Sequence, residues 1–474
     1  MTPDEFRQRG REVIDWIADY MERVESLPVL SRAEPGAIAA MLPDTAPEDP
    51  EPFDTLLADL DRVVLPGVTH WQSPTFFGYF PANSSPEAIL GDLVSSGLGV
   101  QGMLWSTSPA CTEIETKVLD WLADLIGLPA AFTSCTGVGG GVIQGTASEA
   151  VLVAMLAARA RAGGAPGLTV HCSNQAHSSV VKAAMIAGIG RENVRLIDTD
   201  DSLAMDPAAL ARTLDADRRA GRTPFFICAT LGTTSTGAFD PLEAIGAAVE
   251  NAAPGAWLHV DAAWAGAACV CPEHRAMLAG VERADSFNFN PHKWLLTTFD
   301  CSALWVRDRA PVLDALSITP EYLRNKASDA GAVIDYRDWQ IPLGRRFRAL
   351  KLWFVLRGLG AEGLRSHIRQ SIALAQDFES RLRGDDRFEI ATPRSLALIC
   401  FRLRGEDART ERLLDALNAT GEVFFTHTRI PDPGRPGATR YVIRAAIGGV
   451  WTRAEHVNRA WRLLEREAGR TLRM

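Results

Sequence analysis

The chain reads as an α/β protein, with a large domain on a mostly parallel sheet and a smaller α+β domain at the C-terminal end. Three observations carry this. From about Gly91 to Gly360, apolar strand-like runs alternate with Ala-rich helical patterns, and such alternation yields a parallel sheet covered by helices. Within it, Phe225-Phe226-Ile227-Cys228-Ala229-Thr230 is a continuous apolar run, as expected of a strand buried on both faces. From about Glu362 onward, helical stretches at 368–382, 408–419 and 454–467 flank strand candidates at 396–401 and 441–446. The expected organisation is therefore a helical N-terminal segment (1–84), a large domain (85–361) and a small one (362–474).

The first element is an amphipathic helix over 2–24. Thr2 is placed to cap it, Pro3 suits the first helical position, and Glu5 completes a capping box. Phe6, Val13, Ile14, Ile17, Met21 and Val24 share one face, which needs a covering surface such as a second subunit. Residues 33–53, rich in Pro, Ala and acid, read as an extended connector. Val151 to Arg159 is helical in composition. Pro431, Asp432, Pro433, Gly434, Pro436 and Gly437 mark a loop in the small domain.

Bulk properties narrow the class. With 474 residues, 47% hydrophobic and 23% charged, the chain can bury a sizeable core. A net charge of −9 argues against a nucleic-acid surface, which needs a basic stripe. Thr2-Pro3-Asp4-Glu5 is unlike a secretory signal, and no apolar run approaches the ~18 residues of a membrane span. The eight cysteines are scattered, so reduced thiols and a cytoplasmic location are expected. Cys269-Val270-Cys271 with His274 lacks a second pair of ligands, and no metal site is expected there.

The chemistry concentrates in two segments. Ser286-Phe287-Asn288-Phe289-Asn290, a strand-like run, leads into Pro291-His292-Lys293-Trp294. Upstream, Ala256-Trp257-Leu258-His259-Val260 ends on Asp261. An acid at one strand end and a lysine after the next is what pyridoxal phosphate (PLP) chemistry needs. The lysine carries the cofactor as an imine, and the acid keeps the pyridine nitrogen protonated. A phosphate cradle is expected in Gly139-Gly140-Gly141-Val142-Ile143-Gln144-Gly145-Thr146-Ala147-Ser148-Glu149-Ala150, where glycines precede a helix start. No Gly-Lys-Ser/Thr follows, so it is not a nucleotide P-loop. His177, in Asn174-Gln175-Ala176-His177-Ser178-Ser179, can lie flat on a cofactor ring.

Together these segments resemble the aromatic-L-amino-acid decarboxylases, the group II PLP-dependent decarboxylases. Supporting runs are His70-Trp71-Gln72-Ser73-Pro74 through Tyr79-Phe80-Pro81, His259 to Gly266, and Trp339-Gln340-Ile341-Pro342-Leu343-Gly344-Arg345-Arg346-Phe347-Arg348. The likeness runs from the N-terminal helix to about His456. It implies the type I PLP-dependent (aspartate aminotransferase-like) fold and an obligate homodimer whose N-terminal segment packs on the partner subunit. It implies that Lys293 carries PLP, that Asp261 pairs with the ring nitrogen, and that Ala263 and His177 lie on opposite ring faces. Ala147, Ser148 and Asn290 would bind the phosphate, with His292 and Thr234 completing the shell. Trp71, Tyr79, Phe80, Pro81 and Ala82 would line the substrate pocket, and Met103 would lie near the neighbour's site.

Pro320-Glu321-Tyr322-Leu323 resembles the family's catalytic loop. The resemblance makes Tyr322 the group that returns a proton to the substrate carbon after carbon dioxide leaves. Relatives that oxidise aromatic amino acids to aldehydes have Phe there, or lack the histidine at the position of His177. In some relatives a small residue at the position of Gly344 goes with indole substrates and serine there with phenols, so Gly344 makes room for tryptophan or a hydroxylated indole, though glycine there also occurs in relatives that accept dihydroxyphenylalanine. Ala82 replaces a threonine expected of animal members, which removes a polar contact and weighs against catechol preference. The expected reaction is decarboxylation of tryptophan, 5-hydroxytryptophan, dihydroxyphenylalanine or a related acid to its arylalkylamine. Rival readings are an aldehyde synthase on the same fold, a glutamate or histidine decarboxylase, a transaminase, and a non-catalytic cofactor-binding protein.

Overall fold

A computed structural model describes residues 1–318, 333–435 and 437–473. The chain forms two compact units. The first comprises Met1–Pro81, Ser380–Glu389 and Phe401–Met474; the second comprises Ala82–Glu379 and Ile390–Cys400.

The second unit is built on a seven-stranded sheet. Its strands are β1 (Gly140–Gln144), β2 (Leu168–Ser173), β3 (Val194–Ile197), β4 (Thr223–Thr230), β5 (Trp257–Asp261), β6 (Ser286–Phe289) and β7 (Ser302–Val306). They lie in the order β1-β7-β6-β5-β4-β2-β3. β2, β3, β4, β5 and β6 run parallel, while β7 is antiparallel to both its neighbours. The mostly parallel sheet expected from the alternation is present. Every residue of β5, β6 and β7 is buried, and so is all of β4 after Thr223. Burial on both faces is the physical reason β4 reads as a continuous apolar run.

β1 has a consequence for the site. It is antiparallel to β7, which is antiparallel to β6, so β1 points the same way as β4, β5 and β6. The helix Ala147–Arg161 that follows it therefore starts at the edge where those strands end. Its residues from Ala150 to Ala158 pack with Phe226, Cys228, Trp257 and Leu304 in one core cluster. Gly140 and Gly141, part of the segment in which a phosphate cradle is expected, are buried within β1. A Cβ on Gly139 would come within 2.1 Å of the Ala131 carbonyl oxygen, and one on Gly141 within 2.8 Å of the Trp305 ring. These glycines serve close packing rather than anion approach.

In the first unit the helix Pro3–Arg23 has the capping expected of it: Thr2 accepts from the Glu5 amide and Glu5 bonds back to Thr2. No residue of this helix is buried, and Phe6 is 62% exposed. A second sheet has the order β10-β11-β9-β8, with β8 (Phe388–Ile390), β9 (Leu398–Leu403), β10 (Thr426–Pro431) and β11 (Thr439–Ala446). The helices Asp407–Ala419 and Ala454–Thr471 accompany it. Among the described residues no helix is long and apolar enough to cross a membrane.

Candidate active site

In an open α/β sheet, ligands gather beyond the carboxyl ends of parallel strands. Here that edge carries the loops after five strands. β5 ends on Asp261. β6 leads into Asn290 and the short turn Pro291–Trp294 that holds Lys293. The helix N-terminus at Ala147 follows β1, His177 follows β2, and the Leu231–Ser235 turn with Thr234 follows β4.

Asp261 is fixed by register. It pairs with Thr230 of β4 on one side and Asn288 of β6 on the other. The residue is only 4% exposed. It accepts from the Ala263 amide at 3.0 Å and from Asn288 Nδ2 at 3.4 Å, both through Oδ1. Neither of these bonds uses Oδ2.

The lysine turn is tied to the same strand ends. The Asn290 amide donates to the Ala263 carbonyl at 2.9 Å, and the Lys293 amide to the Asn290 carbonyl at 3.0 Å. Trp294 stacks on Trp264, with centroids 4.9 Å apart and planes 17° from parallel. Asn83 Nδ2 donates to the Lys293 carbonyl at 2.6 Å, which brings neighbouring Ala82 to the lysine turn. Asn83 played no part in the sequence reading, because nothing in its local pattern marks it. His292 is buried, and its Nδ1 accepts from the Cys301 amide at 2.9 Å. Burial, reinforced by adjacent Lys293, lowers its pKa to about 3, so the ring is neutral.

His177 has a defined tautomer. Its Nδ1 accepts from the Ser179 amide at 3.2 Å and lies 2.8 Å from the Ser179 hydroxyl. Nδ1 therefore carries no proton, and Nε2–H is free to donate. Desolvation lowers the His177 pKa; Asp261 opposes this and Lys293 adds to it. The charges of Asp261 and Lys293 thus both act on the ring, which places the three groups in one electrostatic environment.

The residues present fit PLP. The helix Ala147–Arg161 is capped by Thr146, whose hydroxyl accepts from the Glu149 amide. The amides of Ala147 and Ser148 lie ahead of the first intrahelical bonds, so they face outward with the positive end of the helix dipole. Asn290 is 2% exposed, and its side-chain oxygen has no hydrogen-bond partner among the described residues. With the amide turned, its NH2 suits a phosphate oxygen. Backbone and side-chain N–H groups thus suit a phosphate, and a buried acid suits a ring nitrogen.

Met103 and Gly344 lie on segments tied together. The Gly102 amide donates to the Arg345 carbonyl at 2.9 Å, and the Arg345 amide donates to the Gln101 side chain. Beneath them Arg345 and Glu115 form a wholly buried ion pair that the sequence did not reveal, and Arg345 also bonds Gln340. Burial pushes the Glu115 carboxyl up, against the pull of Arg345. A Cβ at Gly344 would meet only Gln101 Nε2, at 3.4 Å, so the position tolerates a small side chain. Trp71, Tyr79 and Phe80 belong to the first unit. There Trp71 packs on Phe76 and Tyr79 at 4.5 and 5.5 Å, and the Arg444 guanidinium lies 5.2 Å from the Phe80 ring centroid. Pro81 is buried in the same unit. Tyr322 lies outside the described residues.

Fold and site together define a PLP-dependent enzyme of fold type I. Residues 35–404 match the family described as the pyridoxal-dependent decarboxylase conserved domain. The chain belongs to the pyridoxal-dependent decarboxylase family, and it is a PLP-dependent decarboxylase. It is 50% identical to phenylacetaldehyde synthase of Arabidopsis thaliana, covering 99% of this chain and 96% of that one. It is 48% identical to tryptophan decarboxylase 2 of Oryza sativa subsp. japonica, covering 100% and 96%. Among solved structures, Oryza sativa TDC with PLP and tryptamine superposes with a TM-score of 0.95 at 43% identity, covering 99% of both chains.

The lowered pKa of His177 gives a signed expectation. The neutral ring persists as pH falls below the ordinary 6.5, and its contribution to stability, present above 6.5, is lost only as pH falls through the lower folded value. The imidazole C–H resonance of His177 in the cofactor-free protein, assigned with His177→Asn, should titrate with a midpoint below 6.5. A midpoint above 6.5 would mean that attraction to Asp261 outweighs desolvation.

Proposed function

We propose that this protein decarboxylates aromatic L-amino acids, such as tryptophan, 5-hydroxytryptophan or dihydroxyphenylalanine, to the corresponding arylalkylamine and carbon dioxide. The observation that carries the reading is the convergence of Asp261, Lys293, His177, Asn290 and the Ala147 helix start on one sheet edge. It occurs in a chain similar over its full length to a tryptophan decarboxylase.

Bound PLP supplies a conjugated ring that takes up the electron pair left when the Cα–carboxylate bond breaks. The protein groups do the rest. Lys293 would hold the cofactor through its side-chain amine. Asp261, held through Oδ1, keeps the ring nitrogen protonated. His177 and Ala263 would hold the ring, and His177 would offer Nε2–H to the substrate carboxylate. The Ala147 and Ser148 amides and Asn290 hold the phosphate, with Thr234 and His292 beside them. Substrate contact is assigned to Trp71, Tyr79, Phe80, Pro81, Ala82 and Gly344 on the strength of the family resemblance. Tyr322 returns a proton to Cα as general acid. The working form is a cytoplasmic homodimer, with Met103 near the neighbouring subunit's site. The exposed apolar face of the helix Pro3–Arg23, with no buried residue of its own, supports a partner there.

A second reading has a specific observation in its favour, the 50% identity to a phenylacetaldehyde synthase. Tyr322 and His177 favour the amine-forming reaction over it. Two outcomes test the choice. PLP-loaded protein given a mixture of aromatic and acidic amino acids should yield aromatic amines by mass spectrometry; aldehydes with peroxide would move it to the oxidative branch. Tyr322→Phe should shift products from amine towards aldehyde, and an unchanged product ratio would remove Tyr322 from the protonation step.

A further inference from the structure

Beside Asp261 lies a set of buried polar side chains that the reaction does not use directly. β5 and β6 pair with His259 opposite Ser286 and Asp261 opposite Asn288. Alternation places His259 and Asp261 on one face of β5, and Ser286 and Asn288 on the matching face of β6. His259, Ser286 and Asn288 are each 0% exposed. Three polar side chains in the middle of a parallel sheet carry a desolvation cost that their hydrogen bonds must offset.

The direction of those bonds can be worked out. Trp257 Nε1–H can only donate, and it meets Ser286 Oγ at 2.7 Å. Ser286 Oγ also lies 2.7 Å from His259 Nδ1. Having accepted from Trp257, Ser286 has its own hydroxyl proton to place, and Nδ1 is its partner. Nδ1 is thus the acceptor, and the His259 proton sits on Nε2. Burial lowers the His259 pKa to about 4, so the ring carries that single proton.

Nε2 of His259 and Oδ1 of Asn288 are both buried, lie on the same face of the paired strands β5 and β6, and neither has a hydrogen-bond partner among the described residues. One is a donor and the other an acceptor. With Oδ1 turned to His259, the Asn288 amide presents Nδ2 to Asp261 Oδ1, at 3.4 Å.

We propose that Trp257, Ser286, His259 and Asn288 form a one-way relay of donated hydrogen bonds that ends on Asp261 Oδ1, making His259 and Asn288 positioning residues for the ring-nitrogen carboxylate. The inference rests on the role given to Asp261 above. With the Ala263 amide, the relay loads Oδ1 with two donors and fixes the rotation of the carboxylate, leaving Oδ2 for the ring nitrogen that Asp261 would keep protonated. Ser286 sets the polarity of the whole chain. Without its hydroxyl, Nδ1 and Nε2 of His259 are no longer distinguished, and the Asn288 amide can reverse and turn its oxygen against Asp261.

The test uses protein loaded with PLP labelled with nitrogen-15 in the ring, whose chemical shift reports ring protonation. The unaltered protein should show the protonated position. Asn288→Ala and His259→Phe should move the resonance towards the unprotonated position and lower kcat more than they change KM. His259→Gln, which keeps an N–H donor, should restore part of the shift. Should either apolar variant fail to fold, Ser286→Ala removes a single oxygen and should move the resonance the same way. Folded variants that all keep the unaltered shift would overturn the relay while leaving Asp261 in place. An unprotonated ring in the unaltered protein would overturn the role of Asp261 itself, and the relay with it.

Discussion

The register between β5 and β6 is the constraint on which the site depends. It sets Asp261 opposite Asn288 and His259 opposite Ser286. Because the two strands are parallel, both end at one edge. The acid therefore finishes one strand beside the start of the turn that carries the lysine. A shift of one residue would turn Asp261 to the other face of the sheet. The strands that hold this register are buried throughout, so the site inherits the rigidity of the core rather than the mobility of a loop.

Packing around the lysine turn reinforces that geometry. The Trp264–Trp294 stack joins the residues after Asp261 to the residue after Lys293. Such a pair contributes about 0.5–1.5 kcal/mol beyond the area it buries. The Glu115–Arg345 pair anchors the neighbouring 340–345 segment by a different route. Its net stabilisation is small, because both charges lose water. Removing one partner would cost about 3–5 kcal/mol, since it strands the other charge in the interior. The pair thus holds the backbone at Gly344 in one arrangement more than it stabilises the fold.

Much of this was legible in the sequence, for identifiable reasons. Buried parallel strands appear as apolar runs, so β4 and β5 stood out, β6 read as strand-like, and the Thr2 capping box was plain. Asp261 and Lys293 were visible because each follows such a run. The Gly139–Gly141 segment misled, because glycine serves tight packing and anion approach alike, and only the register of β1 against β7 separates the two. Asn83, Glu115 and Arg345 could not be seen, because their roles depend on contacts across more than 200 residues of chain. His259, Ser286 and Asn288 were visible as polar interruptions of apolar strands, and that was the available signal. Their direction of donation required atoms.

The central claim is that Asp261 and Lys293 act on one cofactor from adjacent strand ends. Its most direct test is turnover of Asp261→Asn at saturating PLP, with the apo-protein melt as a check on folding. The side chain is nearly isosteric, so the apo-protein should melt close to the unaltered one. Turnover should be nearly abolished, because a neutral amide does not hold the ring nitrogen protonated. Near-normal turnover by a folded Asp261→Asn protein would contradict the account.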